Sequence, residues 1–268
     1  MKQAIVALMG VLLVCLLPGL VGAVELGPLA VRAMELSGAR ESLEGLPKAL
    51  EEQVAGDPRT KKLNKKQRAE LANILKPVLD SRTLVDGLTN ALVATGDEGR
   101  LGQAVAIMDS PVFQKVTKQS MKESAVATAK DMSDYAKGLE KKPPDAERVR
   151  LLQRLDAATD GAAILADISY TSAAQFLAAA PMSPSERAAQ LEQLRARLEV
   201  SSPNEFLIRN LYALRKVELK DLEAYVAAHE QESMGWLARH LGYGMRDLME
   251  GAVARMVASM EAVSARKP

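Results

Sequence analysis

Apolar residues in this 268-residue chain recur every three or four positions almost from end to end, with no sustained run of two-residue alternation. Spacing of that kind gathers apolar side chains on one face of a helix, whereas alternation would line one face of a strand. No Asp-Gly or Asn-Gly pair sits between two alternating runs, as a tight hairpin would need. Aromatics make up only 3% of the chain against 48% hydrophobic residues in all, so the core must be built from aliphatic side chains and alanine. The pattern predicts an all-α protein, a multi-helix bundle long enough for one large domain or two ordinary ones.

Helix starts are legible. Ser183-Pro184-Ser185-Glu186 offers a capping Ser, Pro at the first helical position and Glu at the third. Ser202-Pro203-Asn204-Glu205 repeats the design, and Ser110-Pro111 is a weaker version of it. Gly38, Gly56 and Gly96 suit helix C-termini, and Pro47 and Pro77 should kink or end helices. These signals predict helices over about 26–37, 40–55, 66–79, 82–95, 98–108, 111–139, 145–157, 160–179, 185–199, 204–215, 219–231 and 234–262. The clearest break is Lys141-Lys142-Pro143-Pro144, where two prolines stop the helix and two lysines keep the turn solvated.

Residues 1–23 read as a secretory signal peptide. Lys2 gives a positive end, Ala4 to Leu17 an apolar core, Pro18-Gly19 a break, and Val21-x-Ala23 the small residue at a cut. The apolar run of about 14 residues is short of the roughly 20 that a membrane helix needs, so the membrane enters only if the signal is not cleaved. Cys15 faintly suggests a lipoprotein signal, but large Val14 precedes it and Leu16-Leu17 carry the apolar core past it. Cleavage after Ala23 leaves Val24–Pro268 with no cysteine and no net charge. Such a chain is indifferent to an oxidising periplasmic or extracellular compartment, and the balance of charge argues against nucleic acid as partner.

The halves on either side of the Lys141–Pro144 break, 24–142 and 143–268, resemble each other. Leu36 falls opposite Leu155 and Leu46 opposite Leu165, both at an offset of 119 residues. Leu71 matches Leu191 at 120; Leu84 matches Leu207, Leu88 matches Leu211, Ser110 matches Ser233 and Phe113 matches Trp236 at 123. An offset that grows in small steps predicts two pseudo-repeated halves of about six helices each. Leu36-Ser37-Gly38-Ala39 before a leucine-rich helix resembles the opening of a bacterial exported domain, domain of unknown function 2059. Similar to it also are Asp109-Ser110-Pro111-Val112-Phe113, Glu232-Ser233-Met234-Gly235-Trp236 and Leu222-Glu223-Ala224-Tyr225-Val226. The Ser-Pro-x-Gly order usual there lacks its Gly in the first half and its Pro in the second. The resemblance implies an exported helical protein with two copies of the domain in tandem, and no residue role.

No constellation in the sequence announces catalysis or a cofactor. His229 and His240 are eleven residues apart, about 16 Å along an unbroken helix, too far for one metal ion. Asp131 with Asp134, and Asp156 with Asp160, lie at helical spacing on one face, where paired acids in unlike environments are not expected. Lys61, Lys62, Lys65, Lys66 and Arg68 form a basic run suited to a solvated helix start or to an anionic envelope surface. Met245, Met249, Met256 and Met260 with Trp236 form an apolar stripe, either core or a groove for an apolar ligand or partner helix. Three functions remain open on these residues: a non-catalytic envelope module that binds another envelope protein, a carrier of a small apolar ligand such as a lipid, and an envelope hydrolase.

Overall fold

The computed structural model describes residues 22–56, 80–125, 127–180 and 182–265, and these fold into eleven helices without a strand among them. In chain order they are α1 (Gly22–Leu36), α2 (Ala39–Gly56), α3 (Ser81–Ala94), α4 (Glu98–Met108), α5 (Pro111–Ala125) and α6 (Ala129–Lys141). After the Pro-Pro turn come α7 (Ala146–Thr159), α8 (Gly161–Ala179), α9 (Pro184–Ala213), α10 (Leu219–His229) and α11 (Glu232–Ala265). The helix expected over 66–79, with Pro77 inside it, lies outside the described residues. So do residues 1–21, which hold most of the expected signal.

Local chemistry sets most of the boundaries. Asp80, Asp97 and Asp145 cap α3, α4 and α7, each carboxylate accepting a backbone N–H three residues on at 3.0 Å. Ser183 opens α9 with a full capping box, Glu186 reaching back to its N–H at 2.8 Å. Gly38 ends α1 at φ 75° and Gly96 follows α3 at φ 66°. A side chain at Gly38 would also be strained sterically, because its Cβ would lie 2.3 Å from Met121 Sδ. Asp160 takes the same left-handed turn at φ 54° between α7 and α8, a role that aspartate tolerates better than most residues.

Two boundaries differ from the sequence expectation. The helix expected over 111–139 is two helices, because Thr128 and Asp131 form a capping box that starts α6 afresh. The helices expected over 185–199 and 204–215 are one: α9 runs through Pro203, and Ser202 caps nothing. Pro203 removes one helical N–H, but α9 is held by its packing on α8, α7 and α5 and continues through the local break. Pro47 likewise lies inside α2 without ending it.

The apolar faces meet in two clusters. The first joins α1, α2, α3 and α4 with Phe113 of α5 and with Met234, Trp236 and Leu237 of α11. Leu84, Leu88 and Leu92 show its construction: four residues apart on α3, all essentially solvent-free, each contributing about 1.5–3 kcal/mol by burial. The second joins Val116 of α5 to α7, the C-terminal part of α9 and α10. Packing therefore crosses the Pro-Pro turn in both directions. α5 lies on α9 and α10, while α11 lies on α3 and α4. Glycines admit the close approaches: a Cβ on Gly244 would lie 2.7 Å from Leu88 of α3, and one on Gly242 would lie 2.4 Å from Ile164 of α8.

Candidate binding cleft

A cleft of about 580 Å³ opens where α6 ends, the Lys142–Pro144 turn passes and α7 begins, with the C-terminal end of α9 as its far wall. Its apolar lining is Tyr135, Leu139, Pro143, Pro144 and Leu211; its charged lining is Asp134, Lys142, Asp145, Arg148 and Arg215. The bend at Thr128 turns α6 back onto α9, and Tyr135 Oη donates to Leu211 O at 3.2 Å. Burial pushes the Tyr135 hydroxyl pKa up, so it remains a proton donor. Tyr135 meets the Tyr212 ring edge-on at 5.2 Å, and the Arg215 guanidinium covers that ring at 3.8 Å.

Most of the charge is already committed. Arg148 donates to Leu214 O and Val217 O at 2.7 Å each, tying α7 to the turn between α9 and α10. Arg215 pairs with Glu123 of α5, and Lys216 Nζ reaches the same carboxylate at 2.7 Å. The Lys216 hydrogen bond and the Arg215 charge hold the Glu123 carboxyl below its usual range. Asp134 pairs with Lys130 at 2.5 Å, and Asp145 is occupied as the cap of α7. The Lys142 ammonium has no polar partner among the described residues.

The sequence candidates lie elsewhere. Lys61, Lys62, Lys65, Lys66 and Arg68 are outside the described residues. Met245 packs on the first cluster, Met249 and Met256 are half-buried along α11, and the Met260 side chain is outside the described residues. Trp236 is 8% exposed, within the first cluster, with its ring 4.4 Å from His240. None of these residues lines the cleft. The two histidines part company: His240 is exposed and bonds Trp236 O at 2.8 Å, whereas His229 is enclosed by Phe113 at 5.3 Å and Tyr225 at 4.5 Å. His229 Nδ1 has no hydrogen-bond partner, and burial lowers its pKa to about 4. Burial pushes the Tyr225 hydroxyl up to about 12, with Thr117 pulling weakly the other way. Both residues are half-buried and stacked on one another and on Phe113, packing against the core rather than lining the cleft.

Of the carboxylate pairs, Asp131 serves the α6 cap, Asp134 its ion pair, and Asp156 accepts from Ala162 N at 2.7 Å. No group of three or more potential metal ligands occurs among the described residues, and no described helix is long and apolar enough to cross a membrane. The Lys141–Pro144 break reads in the sequence as a solvated turn, and the cleft beside it is not legible there because its walls come from three helices; Tyr135 and Leu211 are 76 positions apart. Comparison with protein-family models, with curated proteins and with solved structures finds no match to this chain.

Proposed function

We propose that the chain is an exported, non-catalytic binding module of the bacterial envelope that holds its ligand in the α6–α7 cleft. One observation carries the non-catalytic reading. The acids that line the cleft are committed to a helix cap and an ion pair, and two of its three cations to carbonyls, a carboxylate and a ring. An acid–base pair needs two groups free to exchange protons with a substrate. Residues 1–23 support export by their layout, and Leu26, the first described core residue, lies beyond the expected cut after Ala23. The likeness to domain of unknown function 2059 points the same way. The carrier reading keeps one support, the apolar floor of the cleft, and shifts from the methionine stripe to that floor.

The reading includes two related halves. α1 corresponds to α7, α2 to α8, α3 to the C-terminal part of α9, and α4 to α10, both of eleven residues. The contacts of α1 with α2, α3 and α4 recur as those of α7 with α8, α9 and α10, and α2 on α3 recurs as α8 on α9. The next helix differs between the halves: α5 packs chiefly on the second half, whereas α11 spans both, lying on α8 as well as on α3 and α4. Agreement of both the offsets and the contact pairs supports duplication better than leucine spacing alone.

Native mass spectrometry of protein from the exported fraction of its host tests the proposal. A chain of residues 24–268, with a partner captured by crosslinking or a releasable small mass, is the expected result. A chain that retains residues 1–23 would contradict export, and turnover of envelope material by the purified protein would contradict the non-catalytic reading.

A further inference from the structure

The two halves depart from one another where the cleft lies. α5 stops at Ala125 and α6 folds back, whereas α11 runs on without a break to Ala265. At the offset of 123, Thr128 and Asp131 fall opposite Gly251 and Ala254, which offer no cap. The bend is therefore encoded in one half only, and it brings Tyr135 and Leu139 to face Leu211 and Arg148. Its volume, about 580 Å³, falls within the roughly 300–1,000 Å³ of small-molecule sites.

The charge balance of the lining selects the ligand. Asp134 is paired with Lys130 and Arg215 with Glu123, whereas Asp145 keeps its charge as the cap of α7. The Lys142 and Arg148 side chains have no carboxylate partner among the described residues; the Arg148 guanidinium meets only neutral carbonyls. Two cations and the one unpaired carboxylate of Asp145 therefore leave the lining with an excess of one positive charge at the edge of an apolar floor of Tyr135, Leu139, Pro144 and Leu211. A low-dielectric wall strengthens their pull on an anion, while the floor favours burial of a hydrocarbon body.

We infer that the cleft binds a small amphiphilic carboxylate of the fatty-acid kind, its carboxylate at Lys142 and Arg148 and its chain on Tyr135, Leu139 and Leu211. The inference rests on the binding reading above and names its ligand class. The probe is decanoate, titrated calorimetrically into the full exported protein, with decanol and decyltrimethylammonium as comparisons. Decanoate is expected to bind one to one and at least about tenfold tighter than either comparison, the factor that about 1.4 kcal/mol confers. Lys142→Glu is expected to weaken it by about tenfold or more; Lys142 is exposed and its ammonium unpartnered, so the fold should tolerate the change. Lys141→Glu, beside the cleft but not lining it, should stay within about twofold. Equal affinity for decanol, equal loss in both variants, or no decanoate binding would each overturn the ligand assignment. No decanoate binding together with a crosslinked protein partner would leave the binding module standing, whereas turnover would remove the module and the ligand together.

Discussion

The fifth helix of each half starts the same way and ends differently. α5 and α11 both follow an eleven-residue helix, both begin by inserting an aromatic, Phe113 or Trp236, and both pack on the opposite half. α5 then breaks at a capping box, and α11 continues for a total of 34 residues. The shared part makes one folding unit of the two halves, since neither can complete its core alone. The part that differs leaves a surface cleft on one side only.

The largest expected effect breaks the shared part. Trp236→Ala and Phe113→Ala should each cost about 3–5 kcal/mol in urea unfolding, as truncation of a buried aromatic does, and each variant should unfold in a single transition. Two separate transitions would show that the halves are independent domains.

Acid probes the contact between α5 and α10, where His229 lies against Phe113. Its folded pKa, about 4, is below the ordinary value of 6.5, so the unfolded chain takes up the proton first as pH falls. The stability that neutral His229 contributes is complete above pH 6.5, is lost as pH falls towards 4, and reaches about 3 kcal/mol in total. Glu230, whose carboxyl is held low by the hydrogen bond to Arg154, loses its own contribution only at more acid pH. Urea titrations from pH 7.5 to 4 should follow this curve, and His229→Leu should flatten it. An unchanged slope in the variant would place the acid sensitivity elsewhere.

The smallest effect sharpens the part that differs. Thr128→Ala removes the cap that starts α6 and should cost about 1 kcal/mol in urea unfolding. Its hydrogen exchange should quicken in α6 and hardly change in α11. Uniform change in both would mean that the bend is not set by its cap.

Much of this was legible in the sequence where one local group decides. Ser183 and Glu186 mark a helix start by themselves, and Pro143-Pro144 marks a stop. The all-helical class followed from apolar spacing that is uniform along the chain. Ser202-Pro203 misled because its local preference for a start is outweighed by packing on both sides of it, which no short window contains. Thr128 with Asp131 escaped notice for the converse reason: a short cap inside a long periodic run resembles two ordinary polar residues of a helix. The packing of α5 and α11 across the Pro-Pro turn and the cleft were beyond reach, since both depend on which distant helices meet. The charges that shape the cleft are paired through contacts such as Lys216 with Glu123, 93 positions apart.

Residue-resolved hydrogen exchange on Trp236→Ala, in mild denaturant where the variant is still folded, tests the packing of α11 on the first cluster most directly. Trp236 belongs to the second half of the chain but to the first cluster. The account predicts that protection falls most in α3 and α4, more than a hundred residues earlier in the chain, with α7 and the C-terminal part of α9 less affected. Loss of protection confined to α7 through α11, with α3 and α4 unchanged, would contradict it.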